Sequence, residues 1–254
     1  MAQAADKAAR SLLRDFNEVE NLQVSRKGTN DFVTAADLRA EQVLKDELSR
    51  ARPGFGILTE ETKGKESKDG HNRWIIDPLD GTLNFIHSVP QICISIGVET
   101  DGELTAGIVF DPLRDELFWA ERGAGAWVNQ RRLRSSRRDR LAECLIAHGR
   151  ARSEEPQDQE RLLTQMGHVL RHTRDLRRMG SAALDLCYVG AGRFDGFWEE
   201  GLMPWDIAAG IVIAQEAGAY VTDTNGGPVS LKTGAVLAGN PNIHSQLHKA
   251  LAGR

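Results

Sequence analysis

Cysteine is scarce in this chain: Cys93, Cys144 and Cys187 are the only three in 254 residues. Each lies inside an apolar stretch without paired or metal-type spacing, and an odd number argues against a disulfide framework, so they read as reduced core residues. No apolar run reaches the length of a membrane-spanning helix. The first ten residues carry Asp6 and Lys7 but no apolar segment, so no secretory signal is expected and the expected compartment is the cytoplasm. Neither sign of charge dominates: 32 Lys and Arg face 36 Asp and Glu, a net −4, and bulk charge points to neither nucleic acid nor membrane. Internal repeats and low-complexity linkers are also missing. What is present is ordinary for a folded soluble protein, with 41% hydrophobic and 27% charged residues and a length that buries a substantial core.

Periodicity gives the organisation. Ala4, Ala5, Ala8, Ala9, Leu12, Leu13 and Phe16 recur at helical spacing and predict a helix over residues 3–20. Residues 27–31 read as a loop. Thr34 and Asp37 match a capping box that opens a helix running to Pro53. Residues 61–72 are charged and contain glycine, which predicts a mobile connection. Short β-type runs at 92–98, 105–110 and 116–120, joined at Asp101-Gly102 and Asp111-Pro112, predict an antiparallel meander. Strands at 141–147, 195–199 and 236–238 then alternate with helices at 155–169, 181–189, 207–216 and 243–251. The class is α+β, expected as one domain with an N-terminal lobe of about 1–140 and a C-terminal lobe of about 141–254.

The chemistry concentrates in three acidic places. In Trp74-Ile75-Ile76-Asp77-Pro78-Leu79-Asp80-Gly81-Thr82 an apolar strand ends in two carboxylates. Pro78 cannot donate to a ladder, which predicts a strand end near Asp77, and Gly81 permits a tight turn or close approach. The same dipeptides also suit a plain surface turn. Upstream, Gly56-Ile57-Leu58-Thr59 leads into Glu60 and Glu61. Far downstream, Asp206 opens a helical run of small and apolar residues, where an Asp also serves as a helix cap. Four carboxylates gathered without cations would repel, and some would have to stay protonated. Mg²⁺ resolves that repulsion, because it takes oxygen ligands and commonly combines carboxylates with substrate phosphate. No Cys or His lies in these motifs, which argues against zinc. Two such ions about 3.5–4 Å apart clamp the attacking and leaving oxygens of a phosphoryl displacement.

In order and spacing, Glu60-Glu61, then Asp77-Pro78-Leu79-Asp80-Gly81-Thr82, then Pro204-Trp205-Asp206 resemble the inositol monophosphatase family, from about Lys27 to the C-terminus. Met203-Pro204 ahead of Trp205 is most similar to its bacterial inositol-1-monophosphatase, or extragenic suppressor, branch. The resemblance implies a layered α/β/α/β/α sandwich of the sugar-phosphatase type, a homodimer, and hydrolysis of a polyol monophosphate by metal-activated water. Myo-inositol 1-phosphate is the foremost substrate, and inhibition by Li⁺ follows. Glu60, Asp77 and the Leu79 carbonyl would hold one Mg²⁺, and Asp77 would bridge to a second that Asp80 and Asp206 complete. A third ion would sit beside Glu60 and the 27–31 loop. Thr82, oriented by Asp37, and Glu60 would serve the attacking water, and the amides of Gly81 and Thr82 the phosphate. Asp80, Ser181 and Ala182 of the Gly180-Ser181-Ala182 turn, and Glu199, would bind sugar hydroxyls, with Glu200 competing for the place of Glu199. Ser181 also reads as a helix N-cap.

Relatives of this type act as well on fructose 1,6-bisphosphate, 3′-phosphoadenosine 5′-phosphate, histidinol phosphate or NADP, and no adenine pocket or second-phosphate clamp is legible here. Thr59 stands where the family often has Gly, which tunes the strand tip rather than removing a ligand. The basic run 131–140 reads either as a solvated loop or as a contact for nucleic acid or an acidic partner. The bacterial branch implies association with transcription machinery, RNA polymerase included, beside or instead of catalysis.

Overall fold

Small residues shape the first layer. Ala4, Ala5, Ala8, Ala9 and Leu12 form the buried face of α1 (Ala2–Phe16), which packs against Ala36, Ala40, Leu44 and Leu48 of α2 (Ala35–Ala51). The computed structural model describes residues 1–18, 24–28, 31–150 and 155–253, and of 24–28 and 31–34 it describes the backbone. α1 stops earlier than predicted, where the Asn17 side-chain Nδ2 donates back to the Leu13 carbonyl at 3.0 Å. Residues 19 and 20 of the predicted helix lie outside the described residues. Of the predicted loop at 27–31, Lys27 and Gly28 end β1 (Val24–Gly28) and Asp31 opens β2 (Asp31–Thr34), two strands that pair antiparallel, and Thr29 and Asn30 lie outside the described residues.

A seven-stranded sheet follows in strict chain order: β3 (Gly56–Thr59), β4 (Asn72–Asp80), β5 (Cys93–Thr100), β6 (Glu103–Asp111), β7 (Glu116–Glu121), β8 (Gly125–Val128) and β9 (Arg131–Arg132). β3 and β4 are parallel and the remaining pairs antiparallel, which is the predicted meander extended by two short strands. Two expectations change. β4 passes through Pro78 to Asp80, because the register slips between the Asp77–Ser95 and Asp80–Cys93 pairs and asks no donor of the proline. The connection at 61–72 is pinned rather than mobile. Lys65 and Ile57 exchange backbone hydrogen bonds, and the Asp69 carboxylate accepts from Ser67, His71 and Asn72.

The second sheet has five strands, in the order β11-β10-β12-β14-β13. β10 (Leu145–His148) is parallel to both β11 (Asp175–Arg177) and β12 (Gly196–Glu199). β14 (Val236–Gly239) is antiparallel to β12 and to β13 (Tyr220–Thr222). A 3-10 turn at Leu141–Glu143 replaces the start of the strand predicted at 141–147. The short helix α3 (Thr82–Ile86) follows β4, and four longer helices complete the chain: α4 (Pro156–His172), α5 (Ala182–Gly190), α6 (Pro204–Glu216) and α7 (Pro241–Leu251). α5 and α6 lie between the sheets, and α4 and α7 cover the outer face of the second. The result is an α/β/α/β/α stack with an apolar core at each helical layer.

α6 comes very close to the first sheet. A Cβ at Gly107 would lie 2.7 Å from the Ala209 Cα, and one at Gly97 would lie 2.9 Å from the Ala208 Cβ. Glycine on the strands and alanine on the helix therefore bring the backbones together and set the depth of the α6 N-terminus.

Candidate active site

Each acidic motif ends an element at one shared cavity. Glu60 follows β3, Asp77 and Asp80 sit at the irregular end of β4, and Asp206 lies in the first turn of α6. All four line a cavity of about 270 Å³, together with Leu79, Gly81, Thr82, Ser181, Ala182 and Glu199. Asp37 is fully buried beneath it, and the Thr82 hydroxyl lies 3.3 Å from the Asp37 Oδ1 and 3.1 Å from the Leu79 carbonyl. Glu200, the sequence competitor of Glu199, instead pairs with Arg161 at 2.5 Å and accepts from Thr224 at 2.7 Å.

Local hydrogen bonds explain how the carboxylates are held. Asp77 Oδ1 accepts the Leu79 amide at 2.9 Å, which closes the bulge left by Pro78. Gly81 has a φ of 93°, and a Cβ there would approach the Gln91 carbonyl to 2.7 Å, so glycine is required at this turn. Asp206 Oδ2 accepts the Met203 amide at 2.7 Å, which makes it a first-turn anchor inside α6 rather than the N-cap. Ser181 does occupy the N-cap position of α5, but its hydroxyl makes no cap. It donates to Asp80 Oδ2 at 2.7 Å, and the same oxygen accepts the Ala183 amide at 2.9 Å. Asp80, from the first sheet, thus caps a helix of the middle layer.

The electrostatics are strained. Burial, then the charges of Glu60, Asp80 and Asp206, push the Asp77 carboxyl well above the usual carboxylate range. Burial and Asp206 raise Asp80 to about 7 against its hydrogen bonds from Ser181 and Ala183. Glu199 and Asp185 are raised as well, by burial first and then by neighbouring carboxylates, with Arg178 opposing in both cases. Such a site binds protons or cations, and its donors are oxygens throughout, the set a hard divalent ion prefers. The carboxylates line the wall rather than close on one point. Among the described residues no three Asp, Glu, His or Cys side chains gather tightly enough to cage an ion alone. That openness fits Mg²⁺, which keeps waters and substrate phosphate among its ligands. The 27–31 segment, expected beside a third ion, includes residues outside those described.

Motif reading missed several residues of this cavity. Gly149, Arg150 and Arg178 also line it, and a Cβ on Gly149 would collide with the Glu199 carboxylate. Behind the wall, Asp185, one turn into α5, leaves its buried Oδ1 without a hydrogen-bond partner among the described residues. Cys93 stands behind the site, 3.8 Å from Asp80 Oδ2 and 3.6 Å from the Ser181 hydroxyl. Gly149, Arg150 and Cys93 have no neighbour in sequence that marks them, whereas Arg178 and Asp185 flank the Gly180-Ser181-Ala182 turn and Asp185 is a charge in an otherwise apolar helix.

The inositol monophosphatase family model matches residues 1–254, the whole chain. The chain belongs to the inositol monophosphatase family. An inositol-1-monophosphatase of Mesorhizobium japonicum is 49% identical over 251 residues, covering 99% of this chain and 94% of its own. The Nus factor SuhB of Escherichia coli K12 is 42% identical over 240 residues, covering 94% of this chain and 90% of its own. Among solved structures, the extragenic suppressor protein suhB of Bartonella henselae superposes with a TM-score of 0.95 at 49% identity, covering 99% of this chain and 96% of its own. The inositol monophosphatase fold and its bacterial suppressor branch, both implied by the sequence, are therefore those of this chain.

Proposed function

We propose that this protein is a Mg²⁺-dependent phosphomonoesterase that hydrolyses a polyol monophosphate, foremost myo-inositol 1-phosphate, to the polyol and phosphate. One observation carries the reading: carboxylates from separate elements of two layers line one cavity beside the amides at the Gly81 turn. The relatives named inositol-1-monophosphatase support the same substrate.

In this reading Glu60, Asp77, the Leu79 carbonyl, Asp80 and Asp206 hold the cations, two or three in number. Bound Mg²⁺ would neutralise the clustered charge, draw in the phosphate oxygens and activate water for in-line attack. Gly81 and Thr82 present backbone N–H groups to the phosphate. Thr82, hydrogen-bonded to Asp37, and Glu60 orient the attacking water. Ser181, Ala182, Glu199 and Asp80 surround the departing polyol, whose hydroxyls donate to the acceptors among them. Inhibition by Li⁺, a homodimer and a cytoplasmic location rest on the family resemblance. No helix of the described residues is long and apolar enough to cross a membrane.

The test is phosphate release from myo-inositol 1-phosphate with and without Mg²⁺. Asp77→Asn is expected to reduce turnover at least about a hundredfold. Full Mg²⁺-dependent turnover in that variant would overturn the assignment. A second reading, binding of nucleic acid or an acidic protein, is favoured by Arg131, Arg134 and Arg137. These are exposed and take no ion pair among the described residues, and several relatives are named Nus factor SuhB. Neutralising those three arginines should abolish such binding and spare turnover, the reverse of Asp77→Asn.

A further inference from the structure

Thr59, the residue at which the first acidic motif departs from the family pattern, has a partner of its own. Buried at the tip of β3, it donates its hydroxyl to Glu41 Oε2 at 2.7 Å. The same oxygen accepts the Glu61 amide at 2.8 Å, and Glu41 Oε1 accepts the Thr62 hydroxyl. One carboxylate of α2 therefore fastens the chain on both sides of Glu60, to the residue before it and to two after it. Glu41 is itself only 1% exposed. Lys45, one turn on, stands 3.8 Å from it and donates to the Thr62 hydroxyl at 2.7 Å and the Lys63 carbonyl at 3.3 Å. Bonds to a charged acceptor are the strong ones, so the tip of β3 is held firmly.

Asp37, Glu41 and Lys45 recur every four residues and share one face of α2. Asp37 meets Thr82 just past β4, and Glu41 meets the end of β3. The two strands pair in parallel with Thr59 opposite Ile76, so Glu60 and Asp77 come next on each. A single helix face thus holds the ends of both strands from which these two carboxylates reach the cavity.

We propose that Glu41 is a positioning residue of the cation site: through Thr59, Glu61 and Thr62 it fixes the direction in which Glu60 presents its carboxylate. The inference rests on the reading that Glu60 holds a cation. Its consequence is selectivity between ions. Mg²⁺ demands near-ideal octahedral geometry, whereas Ca²⁺ accepts a flexible arrangement of oxygens. A fixed Glu60 favours Mg²⁺, and a loosened one costs Mg²⁺ more than Ca²⁺.

The experiment is calorimetric titration with Mg²⁺ and with Ca²⁺ of the unaltered protein, Glu41→Gln, Thr59→Val and Glu60→Gln, with thermal midpoints checking that each variant folds. Glu41→Gln turns one acceptor oxygen into an amide that faces a donor. Thr59→Val removes one bond at nearly constant shape and without a change of charge. Mg²⁺ affinity is expected to fall about tenfold in Glu41→Gln and about three- to tenfold in Thr59→Val. Ca²⁺ affinity should fall less in the first and stay nearly unchanged in the second. Absence of that selective loss in either folded variant overturns the proposal and leaves Glu41 a buried group that only supports β3. Should Glu41→Gln fail to fold, Thr59→Val decides alone. Glu60→Gln tells the two failures apart: a loss of Mg²⁺ affinity there, without one in Thr59→Val, overturns this inference only. Unchanged Mg²⁺ affinity in Glu60→Gln, or no Mg²⁺ bound by the unaltered protein, overturns the cation reading of Glu60 and this inference with it.

Discussion

Asp80 shows how much one side chain carries. One carboxylate oxygen terminates α5 through the Ala183 amide and accepts the Ser181 hydroxyl, while the residue lines the carboxylate-rich cavity proposed to hold cations. Removing the Ser181 hydroxyl leaves the helix cap in place and loosens the carboxylate. Ser181→Ala is therefore expected to raise the half-saturating Mg²⁺ concentration about tenfold, as losses around metal ligands do, with little change in thermal midpoint. A lowered midpoint with unchanged Mg²⁺ dependence would return Ser181 to a purely structural role. A second residue gives a pH signature. His244 is buried between Tyr220 and Thr222, and its Nε2 lies 2.8 Å from the Thr222 hydroxyl. Burial first, and then His248 on the same helix, lower its pKa from 6.5 to about 4. Because the folded value is depressed, the unfolded chain takes up the proton more readily in that window. The stabilisation is complete above pH 6.5 and is lost as pH falls toward about 4. His244→Gln should flatten the fall of thermal midpoint over this range, and an unchanged slope would count against the assignment. Of these features, the sequence showed the acidic residues and their spacing. It could not show that Asp80 caps a helix beginning a hundred residues later, nor that Arg150 reaches the cavity, since strand pairing in the second sheet brings it there.

Among the elements, α6 was the most legible and has the most to position. Its run of Ile207, Ala208, Ala209, Ile211, Val212 and Ile213 is buried on every side, as expected of a helix between two sheets. The sequence did not show how deep it sits, which Gly97 and Gly107 decide from strands a hundred residues away. Gly107→Val should drive the helix off the sheet at a cost of about 1–3 kcal/mol, or about 2–4 °C of midpoint per kcal/mol for a chain of this size. Asp206 moves with the helix, so turnover is expected to fall at temperatures where the variant is still folded. Activity in proportion to the folded fraction alone would show that the depth of α6 is unconnected to the site. The short strands β1, β2, β11 and β13 escaped the sequence reading because three to five residues are too few to show a period. β4 was mis-terminated for a different reason, a proline rule defeated by a slip in register.

For the molecule as a whole, buried repulsion should make the cation a stabiliser. Asp77 and Asp80 are disfavoured as anions by burial and by neighbouring carboxylates, Asp206 and Glu60 among them, and a ligand held only by the folded state adds about 2.7 kcal/mol at a hundred times its dissociation constant. The thermal midpoint should accordingly rise with Mg²⁺. In Asp77→Asn the cation-free midpoint should exceed that of the unaltered protein, and the Mg²⁺ response should shrink; a midpoint indifferent to Mg²⁺ in the unaltered protein would remove the cations from this cavity. The layered architecture itself followed from the family resemblance, while composition and periodicity alone reached only a mixed α and β fold. The order of the five-stranded sheet, with β14 inserted between β12 and β13, has no local cause in the chain. It follows from packing α5 and α6 on one face and α4 and α7 on the other.

The bond from Asp80 to α5 also constrains how this protein can change over generations. The oxygen that fastens one sheet to the helix beneath the other belongs to a residue we propose as a cation ligand, so on that reading drift that lets the layers slide is felt in turnover before it is felt in melting. Selection for the reaction alone is then enough to keep the seam between the layers tight.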